Sequence, residues 1–189
     1  MRKRDLLNVV GIAALAISLA IPATASAGLF KSRDKQRAQV DTDEVATLNR
    51  LWSESPEAKD LYDSAYGYAT FNILKVSLGV TGGGGQGVAV EKSTAKRTYM
   101  RMGTGGLNFG AGGQIYQLVF LFEGQSTFKN FVNNGWEAGA SANAVAGTAG
   151  ANAGTTFING VAVYQLTEAG LMLQLDISGT KYWQSKLNE

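Results

Sequence analysis

The chain has 189 residues, with 17 Lys+Arg against 15 Asp+Glu and neither histidine nor cysteine. That inventory removes the usual neutral-pH base, the commonest metal ligand, the thiol nucleophile and any disulfide staple, so no metal, no cofactor and no enzyme activity is expected. Without the four charged residues of the N-terminal segment, Arg2, Lys3, Arg4 and Asp5, the chain carries 14 charges of each sign, which argues against a nucleic-acid partner held by bulk positive charge.

Residues 1–27, MRKRDLLNVVGIAALAISLAIPATASA, run from a basic start through an apolar stretch, Val9 to Ile21, to Pro22 and the small residues Ala25, Ser26 and Ala27. This order predicts a secretory signal cleaved after Ala27 and export to the periplasm. A membrane-spanning helix needs about 20 apolar residues, longer than this run. With no cysteine after the small residues, a lipoprotein anchor is not expected.

Residues 28–40 hold Lys31, Arg33, Lys35 and Arg37 against Asp34 alone, and read as an unstructured basic leader able to attract anionic headgroups. Asp41 and Glu44 have capping-box spacing, and Val45, Leu48, Leu51 and Trp52 follow a helical period. Ser55-Pro56-Glu57 restarts that pattern through Leu61, Tyr62 and Ala65, so two short helices or one kinked helix should precede a sheet. From Tyr68 onward, short apolar runs are separated by glycine, and Val76, Leu78 and Val80 share one face.

Gly82, Gly83, Gly84, Gly85 and Gly87 fit G-x-G-x-x-G, but Val88-Ala89-Val90-Glu91 then reads as strand where a dinucleotide site needs a helix. A kinked or bulged hairpin is the better account. Lys92 and Lys96 fall in a turn, and Arg97, Tyr99 and Arg101 share a strand face. The five form the best basic patch outside the leader, suited to phosphate headgroups and equally to a solvated sheet face. Leu118 to Phe122 is apolar on both faces, as a strand covered on both sides would be. Ser126 and Lys129 have S-x-x-K spacing, but the partner motifs S-D-N and K-T-G are absent. A helix capped by Ser126, with Phe128, Phe131 and Val132 inward and Gly135 at its end, explains them better. Residues 138–154 are almost all small, either a loop or a strand packed closely on backbone, and Leu171 to Ser178 alternates.

In chain order, five blocks resemble the SYLF domain family of lipid-binding modules. Tyr68-Ala69-Thr70-Phe71 is similar to the family's opening strand, and Gly82 to Val90 to its glycine-rich hairpin. Gly105 to Gly110 with Gln114 to Phe122, Gly135 to Ala140, and Val163-Tyr164 through Gly170-Leu171 to Ser178-Gly179 match the later blocks. The resemblance spans about residues 44–183. It departs at Asn72, where proline is usual, and at Gly85 and Gln86, where relatives often carry an aromatic or charged residue.

The fold class this supports is α+β: N-terminal helices on a mainly antiparallel, glycine-rich β-sheet or barrel-like sandwich, with one domain over residues 41–189. The resemblance implies binding of acidic phospholipids at a membrane surface. The residues that would do it are Lys92, Lys96, Arg97, Tyr99 and Arg101, helped by Lys31, Arg33, Lys35 and Arg37. A small outer-membrane barrel, a hydrolase using Ser126 and Lys129, and an envelope structural protein with a protein partner are the alternatives.

Overall fold

The computed structural model describes residues 32–137, 156–172 and 180–189. The signal segment 1–27, Lys31, the small-residue stretch 138–154 and most of the alternating run after Leu171 lie outside the described residues.

Helix α1 (Arg33–Glu54) starts at Ser32, whose hydroxyl accepts from the Lys35 amide at 3.4 Å. Residues 33–40 are therefore helical, a correction to the unstructured leader, and Asp41 and Glu44 sit in mid-helix instead of at its cap. Val40, Glu44, Thr47, Leu48 and Leu51 form the buried stripe, one side of a 3.6-residue period. Ser55, the residue before Pro56, is extended and ends the helix. Helix α2 (Glu57–Ser64) then restarts with Glu57 and Asp60 in its first turn, where carboxylates suit the helix dipole.

Two long strands, β1 (Gly67–Glu91) and β2 (Lys96–Phe122), pair antiparallel from Gly67↔Phe122 to Glu91↔Lys96, with a register shift between Leu78 and Val80. The turn of this hairpin is Lys92–Ala95, so the glycine run lies inside β1 and is not itself the turn. Its role is close approach. A Cβ at Gly87 would stand 1.9 Å from the Thr70 carbonyl oxygen, one at Gly85 would stand 2.5 Å from that of Asn72, and one at Gly83 2.9 Å from that of Leu74. The second half of β1 thus lies backbone to backbone against its own first half, and the ribbon folds over near Gly79, whose φ is +72°.

Helix α3 (Gln125–Asn134) follows β2. Its N-cap is Gly124 and not Ser126, which falls in the first turn, while Gly135 ends it at φ +68°. Among the described residues, strands β3 (Trp136–Glu137), β4 (Val161–Thr167), β5 (Gly170–Met172) and β6 (Thr180–Gln184) complete a six-stranded antiparallel sheet that does not close. On β2, β4 pairs with residues 117–122 and β6 with residues 100–104. A short 3₁₀ turn, Lys186–Asn188, ends the chain.

Alternate residues of the ribbon feed two cores. Tyr68, Val88, Val90, Val119, Leu121, Tyr164 and Leu166 pack under α1 and α2. Phe71, Ile73, Met100, Met102, Leu118, Phe120, Phe122 and Tyr182 pack with Phe128, Phe131 and Val132 of α3. The doubly apolar run 118–122 is thus covered on both faces. Within the second core, the Phe71, Phe120, Phe131 and Tyr182 rings lie 5.0–6.3 Å apart, mostly edge to face.

The packing at Gly87 sets an expected outcome. Gly87→Ala should destabilise by about 3 kcal/mol or more, since the methyl meets backbone that cannot move aside. Gly82→Ala, facing open space, should stay within about 0.5 kcal/mol of the parent. Urea midpoints of the two variants check this.

Candidate functional site: the cations of the ribbon and of helix α1

Three arginines bind α1 to the sheet. Near its start, Arg37 Nε donates to the Leu187 carbonyl at 2.7 Å, with the guanidinium 5.9 Å from the Tyr99 ring centroid. Mid-helix, Arg97 of β2 donates from Nε and Nη2 to Asp41 Oδ1 at 3.1 and 2.9 Å, and from Nη2 to Glu44 Oε2. The other oxygen of Glu44 accepts from the Tyr68 hydroxyl. Near its end, Arg50 reaches Glu54 at 2.7 Å, Gln117 at 3.1 Å and the Thr167 carbonyl.

Glu44 is 4% exposed, so its charge is held among apolar neighbours and depends on Arg97 and Tyr68 for compensation. Burial disfavours the Arg97 guanidinium, but the Glu44 and then the Asp41 carboxylates outweigh that and hold its pKa above the ordinary arginine value. Burial first, then the hydrogen bond and charge of Glu44, pushes the Tyr68 phenol upward. Tyr99 donates to both Asp41 oxygens at 3.2 Å, and it too is raised, by burial and then by Asp41.

The other cations expected to bind lipid divide into engaged and exposed. Lys92 Nζ donates to the carbonyls of Tyr62 at 2.6 Å and Asp63 at 3.0 Å, and lies 4.6 Å from the Tyr62 ring centroid. Burial lowers its pKa. Arg33 pairs with Glu189 at 4.0 Å. Lys35, Lys96 and Arg101 are exposed. Arg97, Tyr99 and Arg101 do share a strand face, as their spacing implies, but Arg97 and Tyr99 use it to grip α1. Gly83, Gly85 and Gly87 serve the fold-over, while Gly82 and Gly84 face outward. Ser126 and Lys129 are both exposed on α3.

Two features went unread in the sequence. One is the pairing of Asp41 and Glu44 with Arg97, since the partners stand 56 and 53 residues apart. The other is an uncovered apolar stretch at the fold of the ribbon: Leu74, Val76, Leu78, Val80 and Ile115 are all more than half exposed. The alternation of residues 76–80 was visible, but nothing in it tells a covered face from a bare one.

Removing Arg97 leaves Glu44 buried without its cation. Arg97→Met should therefore cost about 2–3 kcal/mol, reduced from the full buried-pair penalty because the guanidinium is partly exposed. Arg101→Met should fall within about 0.5 kcal/mol, both read from urea midpoints at constant slope. A pH effect follows from the tyrosines. Tyr62, Tyr68, Tyr99, Tyr164 and Tyr182 all have pKa values raised above 10.0, Tyr164 to about 12 through burial and then Glu57. The folded state then keeps protons the unfolded chain loses, so their contribution is intact below pH 10 and falls as pH rises through 10 toward 12. Lys92, lowered by burial, acts in the opposite sense but is one group. Urea midpoints at pH 8 and 10.5 should show a drop at the higher pH, with phenolate absorbance rising only on unfolding.

Residues 103–188, from the middle of β2 to the end of the 3₁₀ turn, match the family model described as Ysc84: Las17-binding protein actin regulator. The chain is also similar to a protein of Aeromonas veronii named Beta cell expansion factor A, at 44% identity over 156 residues, 82% of this chain. The match spans 60% of that relative's length. On these two matches, the chain belongs to the SYLF domain family.

Proposed function

We propose that the protein is a non-enzymatic module that binds acidic phospholipids at a membrane surface, exported to the periplasm by residues 1–27. The observation that carries this is how charge is divided between helices and ribbon. Residues 68–90 and 97–122 contain no Asp or Glu, whereas α1 and α2 hold Asp34, Asp41, Asp43, Glu44, Glu54, Glu57, Asp60 and Asp63. These two stretches, with Arg101 exposed on β2, can approach an anionic surface without repulsion.

Family membership supports the same reading, because lipid binding is what the SYLF resemblance implies. No described helix is long and apolar enough to cross a membrane. Arg97 is occupied by α1, which leaves Arg101 as the ribbon cation best placed to meet a headgroup. The family description names an actin regulator that binds Las17. That activity belongs to the described family, and a protein partner in the envelope is the competing outcome here.

The test is co-sedimentation of the secreted protein with vesicles of phosphatidylglycerol or phosphatidylcholine, at low and high salt. Binding to the anionic vesicles alone, weakened by salt and severalfold weaker in Arg101→Glu, is expected. Equal binding to both lipids, or none to either, overturns the headgroup assignment. Intact mass of the periplasmic protein should correspond to a chain starting at Gly28; retention of residues 1–27 overturns the export assignment.

A further inference from the structure

Resting on the membrane-binding reading above, we infer that the fold of the β1–β2 ribbon is a wedge that enters the acyl region of a bilayer. The side chains involved are Leu74, Val76, Leu78, Val80 and Ile115, which are 52%, 52%, 80%, 62% and 63% exposed.

Register puts Leu74, Val76 and Leu78 on the ribbon face that carries Tyr68, and Leu74 stands opposite Ile115. Nearer the ends of the ribbon this face is covered by α1 and α2 over Tyr68, Val119 and Leu121. The apolar stripe therefore runs on past its helical cover into solvent. Exposed aliphatic side chains grouped in this way mark an interaction surface.

Three observations select a bilayer as the occupant. First, the ribbon here has no carboxylate, and the hydroxyls of Ser77 and Thr81 lie 2.9 Å apart across the fold, so they satisfy each other without water. Secondly, a cation stands back from the fold: Arg101, exposed on β2, lies opposite Gln86, beyond the aliphatic stretch. A long basic side chain in that place can reach an anionic headgroup while the aliphatic tip goes deeper. Thirdly, the large exposed side chains described there, Leu74, Val76, Leu78, Val80 and Ile115, are all aliphatic, without the aromatic and arginine anchors that protein interfaces favour. Open glycines at 82, 106, 112 and 113 keep the wedge narrow. The turn cations Lys92 and Lys96 lie at the other end of the ribbon, beside Tyr66, and would stay clear of the membrane.

The natural chain has no cysteine, so a single Leu78→Cys substitution can carry an environment-sensitive fluorophore, with Lys59→Cys on exposed α2 as the control site. On mixing with phosphatidylglycerol vesicles, the Leu78 probe should shift to the blue and be quenched by brominated acyl chains, while the Lys59 probe should do neither. Leu78→Glu with Val80→Glu, at positions exposed enough to leave the fold intact by circular dichroism, should lower vesicle binding at least tenfold. If the protein binds vesicles while the Leu78 probe stays in water and the double variant binds like the parent, the wedge is wrong and the surface-binding reading stands. If no form binds vesicles, both fail. A lipid-free shift of the Leu78 probe that grows with protein concentration, together with a dimer mass, would assign the stretch to a second copy and overturn the wedge.

Discussion

The contact between the two halves of β1 decides the rest of the architecture. A two-stranded ribbon of this length has too little buried surface to stand extended in water, and it finds that surface by folding onto itself. Gly83, Gly85 and Gly87 allow this because their backbone lies where side chains would otherwise hold the halves apart. The fold returns the Lys92–Ala95 turn to the start of β1, where the Lys92 amide donates to the Tyr66 carbonyl at 3.2 Å. It also leaves the middle of the ribbon as an apex that no described helix covers.

Once folded, the ribbon presents two apolar faces, and each is finished by different chemistry. One takes α3 and a cluster of aromatic rings; the other takes α1 and α2 and is tied by arginines as well as by burial. Helix α1 alone is only weakly amphipathic, with Glu44 and Thr47 inside its buried stripe. Its docking therefore relies on Arg37, Arg50 and Arg97 meeting carboxylates and carbonyls. Because Glu44 would be costly to bury alone, the pair with Arg97 also selects the position of α1 along the ribbon.

The division of charge carries a functional consequence. Most carboxylates of the described residues lie on the helices, several of them ion-paired, while residues 68–90 and 97–122 of the ribbon have none and its apex is aliphatic. On the proposed reading, the domain meets an anionic surface at that apex, beyond the cover of α1 and α2. Counting cations along the chain does not reveal this, because several of the most basic positions are spent inside the fold.

What the sequence by itself determined is the local material. The helical period through Leu48 and Leu51, the break at Ser55-Pro56, the termination at Gly135 and the doubly apolar strand 118–122 were all legible, because each is set by neighbours within a few residues. The family blocks were legible for a related reason, since glycines at close approaches and aromatics at core positions recur in fixed order. The helical start at Arg33 was missed because a basic, weakly amphipathic segment resembles a solvated tail until Leu187, Tyr99 and Glu189 are brought beside it. Tertiary structure alone decided that Arg97 and Tyr99 grip Asp41 and Glu44 instead of facing solvent. It also decided that the glycine run is a contact between halves of one strand, and that Leu74 to Val80 is bare where Tyr68 is covered. Each of these depends on groups brought together from beyond the local stretch of chain, and burial and charge compensation are properties of that assembled neighbourhood and not of the residues themselves.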